Sequence, residues 1–144
     1  MPPLKKIVSL LLLILVIHTI ATIYHWYWTY QWLDIPMHIL GGFGTGLLAI
    51  TLNYKFKVFE SRPWINAILI LGIVALVGVF WEFFEFILHN YLARFHLPEP
   101  PVAKNSFDLY KDTLKDLLDD IVGGFIATAF LRRNKGAAHL SSKE

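Results

Sequence analysis

The sequence predicts an all-α integral membrane protein, a four-helix bundle of four spans with both termini in the cytoplasm. Three observations lead there. Of the 144 residues 56% are hydrophobic, with a mean hydropathy of +0.51, which is more apolar surface than so small a soluble domain can bury. Apolar stretches of about 18 or more residues with few charges recur along the chain. Lysines and arginines gather where alternate connections would lie on one side of a membrane.

The first span, 7–28, has no formally charged residue, follows Lys5 and Lys6, and ends in the aromatic run "YHWYW". It is too long for a secretory leader and lacks a small-residue cleavage site. The second span, 35–53, is closed by a segment carrying Lys55, Lys57, Arg62 and Pro63. The third, 64–92, is long enough to tilt or to project from the bilayer. A proline-bearing connection with Pro98, Pro100 and Pro101 separates it from the fourth helix, 108–131, which is strongly apolar only in its second half. Residues 132–144 read as a polar tail. The whole chain is one membrane domain.

Orientation follows from the charges. Lys5/Lys6, Lys55/Lys57/Arg62 and Arg132/Arg133/Lys135 fall on one side, and the first connection has no Lys or Arg. The third connection is mixed, with Arg94 and Lys104 against Glu99 and Asp108. The positive-inside rule assigns the basic side to the cytoplasm, and therefore an inner cell membrane. Trp26, Trp28, Tyr30 and Trp32 form an aromatic belt at the outer interface, and Trp64 marks the inner one.

The polar residues inside the spans converge on one layer. At about 1.5 Å of rise per residue, His38 lies about 25 Å up from the cytoplasmic end, Glu82 about 27 Å and Asp116 about 24 Å. His25 is placed at about 28 Å, with His18 and Asp120 lower at about 18 Å. At about 100° per residue, Asp34, His38, Gly41 and Thr45 share a helix face. So do Gly78, Glu82, Glu85 and His89; Asp112, Asp116, Asp119, Asp120 and Gly123; and His18, Thr22 and His25. These faces continue inward as small residues (Gly41, Gly42, Gly72, Ala75, Gly78, Gly123), which let membrane helices approach closely. The expected result is a tight bundle with a polar cup opening outward, and with Lys111 and Lys115 at its rim.

Each polar residue has a structural reading beside the functional one. Asp34, ahead of Pro36, suits a helix N-cap in either case. His38 reads as functional, because ionisable side chains within a membrane are expensive to keep. The same argument covers Glu82 and Glu85, set against the third helix leaving the bilayer at that level. For Asp108 and Asp112 the competing reading is a solvated acidic first turn favoured by the helix dipole, and it fits Asp119 less well. It fits Asp116 and Asp120 poorly, because they sit deeper. His18 reads as a packed, hydrogen-bonded residue; His96 and His139 fall in connection and tail.

Carboxylates crowded in a low-dielectric layer must be protonated, solvated or neutralised by a cation. Oxygen ligands with an imidazole suit a divalent metal such as Mg, Mn, Zn or Fe. The candidate metal ligands are Asp34, His38, Glu82, Glu85, Asp112, Asp116 and Asp120, with Glu82 and Asp116 the candidate catalytic acids. Cysteine is absent, so thiolate sites and disulfides are excluded. There is no Gly-rich phosphate loop with Lys, no His-Glu-x-x-His and no Gly-x-Ser-x-Gly. Ser9 is far from the cluster, which argues against a Ser-His-Asp hydrolase. The basic C-terminus is explained by topology, and no nucleic-acid partner is expected.

"LDIPMHILGGF", "FWEFFEF" and "DTLKDLLDDIVGG" resemble, in that order, the characteristic blocks of the YjdF-like small bacterial inner-membrane proteins. Asp34, His38, Glu82, Glu85, Asp112, Thr113 and Asp116 take the places of that pattern. The layout is more distantly similar to VanZ-like membrane proteins, known for glycopeptide resistance. The Arg of those proteins between the Glu and the last Asp block has one candidate counterpart, Arg94. The resemblance implies a membrane protein and supplies no reaction.

Three function classes follow. The first is a divalent-metal site, with metal-dependent hydrolysis of a lipid or cell-envelope substrate. The second is a proton- or cation-coupled transporter, with Asp120 and His18 extending the polar path inward. The third is a structural membrane protein. The bilayer is the expected partner, and the sequence leaves an oligomer open.

Overall fold

The computed structural model describes residues 2–58, 62–94 and 106–141. The expected proline connection, with His96, Glu99 and Lys104, lies outside the described residues. So do the side chains of Trp28, His89, Arg94, Arg132, Arg133, Lys135 and His139. Helix α1 is Leu4–Ile23, α2 is the single turn Trp26–Thr29, and a 3-10 turn Gln31–Leu33 leads into α3, Asp34–Phe56. Helix α4 is Pro63–Arg94 and α5 is Ser106–Ser141. The described residues contain no strand, and the architecture is an all-α membrane bundle.

The first helix stops earlier than the apolar run suggests. Tyr24 N–H still donates to the Ile20 carbonyl at 2.9 Å, and His25 then turns left-handed at φ 59°. A left-handed residue after a helix ends it by carrying the chain away from the axis. His25 therefore does not continue the His18 face, which corrects the expected first span. At the other end, α5 continues as helix to Ser141, past the expected boundary at 131. Asp34 is also corrected: it is the first helical residue of α3, its side chain makes no cap bond, and Leu33 is the N-cap. Pro63 opens α4, where a missing N–H removes no helix bond. Lys57, left-handed at φ 49°, closes α3.

Among the described residues, three helical segments are long and apolar enough to span: Leu4–Ile23, Gln31–Phe56 and Pro63–Leu88. The fourth expected span, in α5, falls short on composition, because Lys115, Asp116, Asp119 and Asp120 occupy its first half. Its packing nevertheless follows α3. Lys115 meets Asp34, Asp120 lies against Gly42, and Ala127 lies against Gly46. The two helices therefore run in parallel, while α4 runs antiparallel to α5, pairing Gly78 with Asp120 and Val74 with Gly124.

The close approach of α3 and α5 rests on two glycines. A Cβ on Gly42 would overlap the backbone carbonyl of Asp120, and one on Gly123 would overlap the carbonyl of Ile39. Gly72, expected on the inner small-residue face, instead points to open space. At the end of the bundle away from the polar residues, Ile7, Leu47 and Ala127 form an apolar core. Leu11, Phe43, Leu48 and Ile50 pack against it. Leu12, Leu13, Ile68, Phe80, Leu118 and Phe125 are more than half exposed, as expected of side chains that face lipid.

Candidate functional site: an acid and histidine cluster at one end of the bundle

His38 is at the centre of the cluster and is 5% exposed. Its Nε2 lies 3.6 Å from Asp34 Oδ1, one turn earlier on α3, and its Nδ1 lies 3.4 Å from Asp120 Oδ1 on α5. Asp120 has room because three glycines face it. A Cβ on Gly41 would lie 3.9 Å from its Oδ1, Gly42 abuts its backbone, and a Cβ on Gly78 would strike its Oδ2. Oδ2 is buried without a hydrogen-bond partner. The small-residue pattern read from the sequence thus serves a specific purpose, housing a carboxylate between α3 and α4.

Helix α4 supplies Glu82 and Glu85. Thr113 donates its hydroxyl to Glu82 Oε2 at 2.9 Å, and Glu82 Oε1 is buried with no hydrogen-bond partner. Among the described residues, no Lys or Arg lies within ion-pair distance of either glutamate. His18, from α1, approaches this pair with Nε2 3.7 Å from Glu85 Oε1. His18 is 7% exposed and its Nε2 has no hydrogen-bond partner. Its Nδ1 is 2.9 Å from the Tyr27 hydroxyl, and its ring meets Trp81 edge-on at 4.8 Å. The early end of α1 allows this, since the turn after His25 brings Tyr27 back over His18. Burial, and then the nearby Glu85 carboxylate, raise the Tyr27 pKa above the ordinary phenol value, which keeps the hydroxyl neutral.

Lys115 stays at the rim, with its side chain 39% exposed, and reaches from there into the cluster. Its Nζ donates to Asp116 Oδ1 and, at 3.3 Å, to Asp34 Oδ2, and lies 3.5 Å from Asp119 Oδ2. At about 100° per residue, Lys115 falls only about 40° from Asp119 on the helix wheel. That angle, with the i, i+4 spacing to Asp119, was the signal available in the sequence. The cluster is therefore divided. Asp34, Asp116 and Asp119 surround an ammonium, and Glu82 and Glu85 do not.

Among the described residues, two sets of side chains offer ligand atoms all within 4.8 Å of one another: Asp34, His38 and Asp116; and His38, Glu82 and Glu85. Asp120 touches His38 without joining either set, and half-buried Asp112 belongs to neither. Tyr27 is a contact that sequence reasoning missed, while Thr113 entered only through the family resemblance and His18 only as a packing residue or part of a transport path. Their placement depends on where α1 ends and on the register of α4 against α5.

The fold and the cluster define an integral membrane bundle with its acids and histidines gathered at one end. The chain belongs to the family described as "Predicted membrane protein (DUF2238)", whose model matches residues 2–136. The YjdF-like resemblance fits this family. No curated protein and no solved structure matches the chain.

Proposed function

We propose that this membrane protein holds one divalent cation between His38, Glu82 and Glu85, at the outer end of an inner-membrane bundle. The observation carrying this reading is the pair of glutamates with no Lys or Arg partner among the described residues, faced by nine-tenths-buried His18, whose Nε2 has no hydrogen-bond partner. Two acids in a low-dielectric setting need a compensating charge. One imidazole with carboxylate oxygens is a donor set for Mg, Mn, Zn or Fe. His18, held by Tyr27, is an outer partner that orients the Glu85 carboxylate, as such partners orient metal ligands generally.

A cation there supplies Lewis-acid chemistry. Asp116 and Asp120, beside His38, are the groups placed to handle a proton. The substrate class is a lipid or cell-envelope molecule entering from the outer leaflet. Transport has less support, since Ile7, Leu47 and Ala127 close the opposite end with apolar side chains. The test is elemental analysis of the detergent-purified protein beside a Glu82→Gln/Glu85→Gln variant. Near-stoichiometric metal that disappears in the variant is expected. No metal in either protein, even after Mn2+ is added back, would leave the acids as a hydrogen-bonded network tying helices together. His18→Gln should weaken binding roughly 10–100-fold without changing stoichiometry, the usual effect of losing an outer-shell partner.

A further inference from the structure

We infer that Lys115 is a built-in substitute for a second cation, and that its ammonium is what limits the cluster to one exchangeable metal ion. The inference rests on the metal reading above. Its basis is the division of the cluster. Both ligand-capable sets include His38, yet only one of them has a cation already inside it. Lys115 Nζ contacts carboxylates from both α3 and α5, namely Asp34, Asp116 and Asp119.

Three features separate this arrangement from an ordinary surface ion pair. Asp116 is 4% exposed, so water cannot replace the ammonium as its compensating partner. The position sets three carboxyl groups around one ammonium, more oxygen donors than the lysine alone can pair. The oxygens around Nζ come from separate helices and converge on one point, the arrangement a hard divalent ion requires. Asp119 Oδ2, 3.5 Å from Nζ, is buried without a hydrogen-bond partner, and so is Oδ2 of Asp120, whose other oxygen lies 3.4 Å from the shared His38. An ammonium on a flexible four-carbon stem reaches the spot from the rim without a second metal having to be captured.

In such a site the lysine supplies fixed positive charge where a two-metal centre would hold its second ion. Removing the charge while keeping the stem should therefore open a second metal position. The experiment is equilibrium binding of Mn2+ to the full-length protein in detergent, read by electron paramagnetic resonance, for wild type and Lys115→Met. One Mn2+ per chain in wild type and two in K115M is the expected result. Addition of Asp34→Ala to K115M should return the count to one.

The other outcomes separate the two readings. One ion in both proteins overturns the lysine inference and leaves the glutamate site standing. No ion in wild type and one in K115M overturns the glutamate site and supports the lysine. Two ions in wild type overturn the lysine inference without any variant, and none in either protein overturns both. If K115M is not recovered folded, Lys115→Gln, which keeps a hydrogen-bond donor for Asp116, is measured by the same criteria.

Discussion

His38→Ala is expected to abolish metal binding, by more than the roughly 10–100-fold that loss of an outer partner produces. The reason is geometric. His38 is the member common to both ligand-capable sets, and its two ring nitrogens face Asp34 at 3.6 Å and Asp120 at 3.4 Å. Its loss removes a ligand from the Glu82/Glu85 position and the partner of two buried or half-buried carboxylates. Removing one partner of a buried charged pair costs on the order of 3–5 kcal/mol, so H38A should also lower the melting temperature. His38→Gln separates the effects, since the amide can still donate to a carboxylate. It should recover much of the stability and little of the metal. Isothermal titration with Mn2+ and thermal melts of the same samples read both quantities. Full metal affinity in H38A would remove His38 from the site.

Gly42→Ala and Gly123→Ala are expected to give the largest losses of stability from a single methyl group. Each Cβ would overlap backbone, at the Asp120 carbonyl for Gly42 and the Ile39 carbonyl for Gly123. A side chain in the way could rotate, whereas a helix backbone has to move as a unit. Overpacking of this kind costs typically 1–3 kcal/mol, and separating α3 from α5 also withdraws Asp120 from His38. G42A should therefore lose stability and metal affinity together. Gly72→Ala is the control, because that glycine meets nothing within 4 Å. Denaturant titration in micelles, followed by circular dichroism, ranks the three variants. Equal stability of G42A and G72A would mean that α3 and α5 are not in backbone contact.

The membrane class and most of the polar layer were legible in the sequence because both follow from one-dimensional quantities. A span is a run of apolar residues, and depth along a straight helix is a residue count multiplied by a fixed rise. That is why Asp34, His38, Glu82 and Asp116 could be placed at one level from three separate stretches, and why Asp120 was expected on the bundle face. The same arithmetic misled at His25. Counting assumed a helix through residue 28, while the chain turns left-handed at that histidine. The imidazole that reaches the glutamates is instead His18, read from sequence as a packing residue. Asp34 was assigned a cap by local pattern, and the nearby Lys115 and His38 drew its carboxylate elsewhere.

The sequence by itself determined that this chain is an all-α membrane protein with its acids and histidines gathered towards one end. Hydropathy and helical period are properties of neighbours along the chain. Only the tertiary structure decided how those charges are shared. Which carboxylates Lys115 reaches from the rim depends on the distance between α3 and α5. That distance is set by Gly42 and Gly123, where two backbones touch. A long flexible cation reaches whichever carboxylates the packing brings within a few ångströms, and no periodicity along one helix encodes that choice.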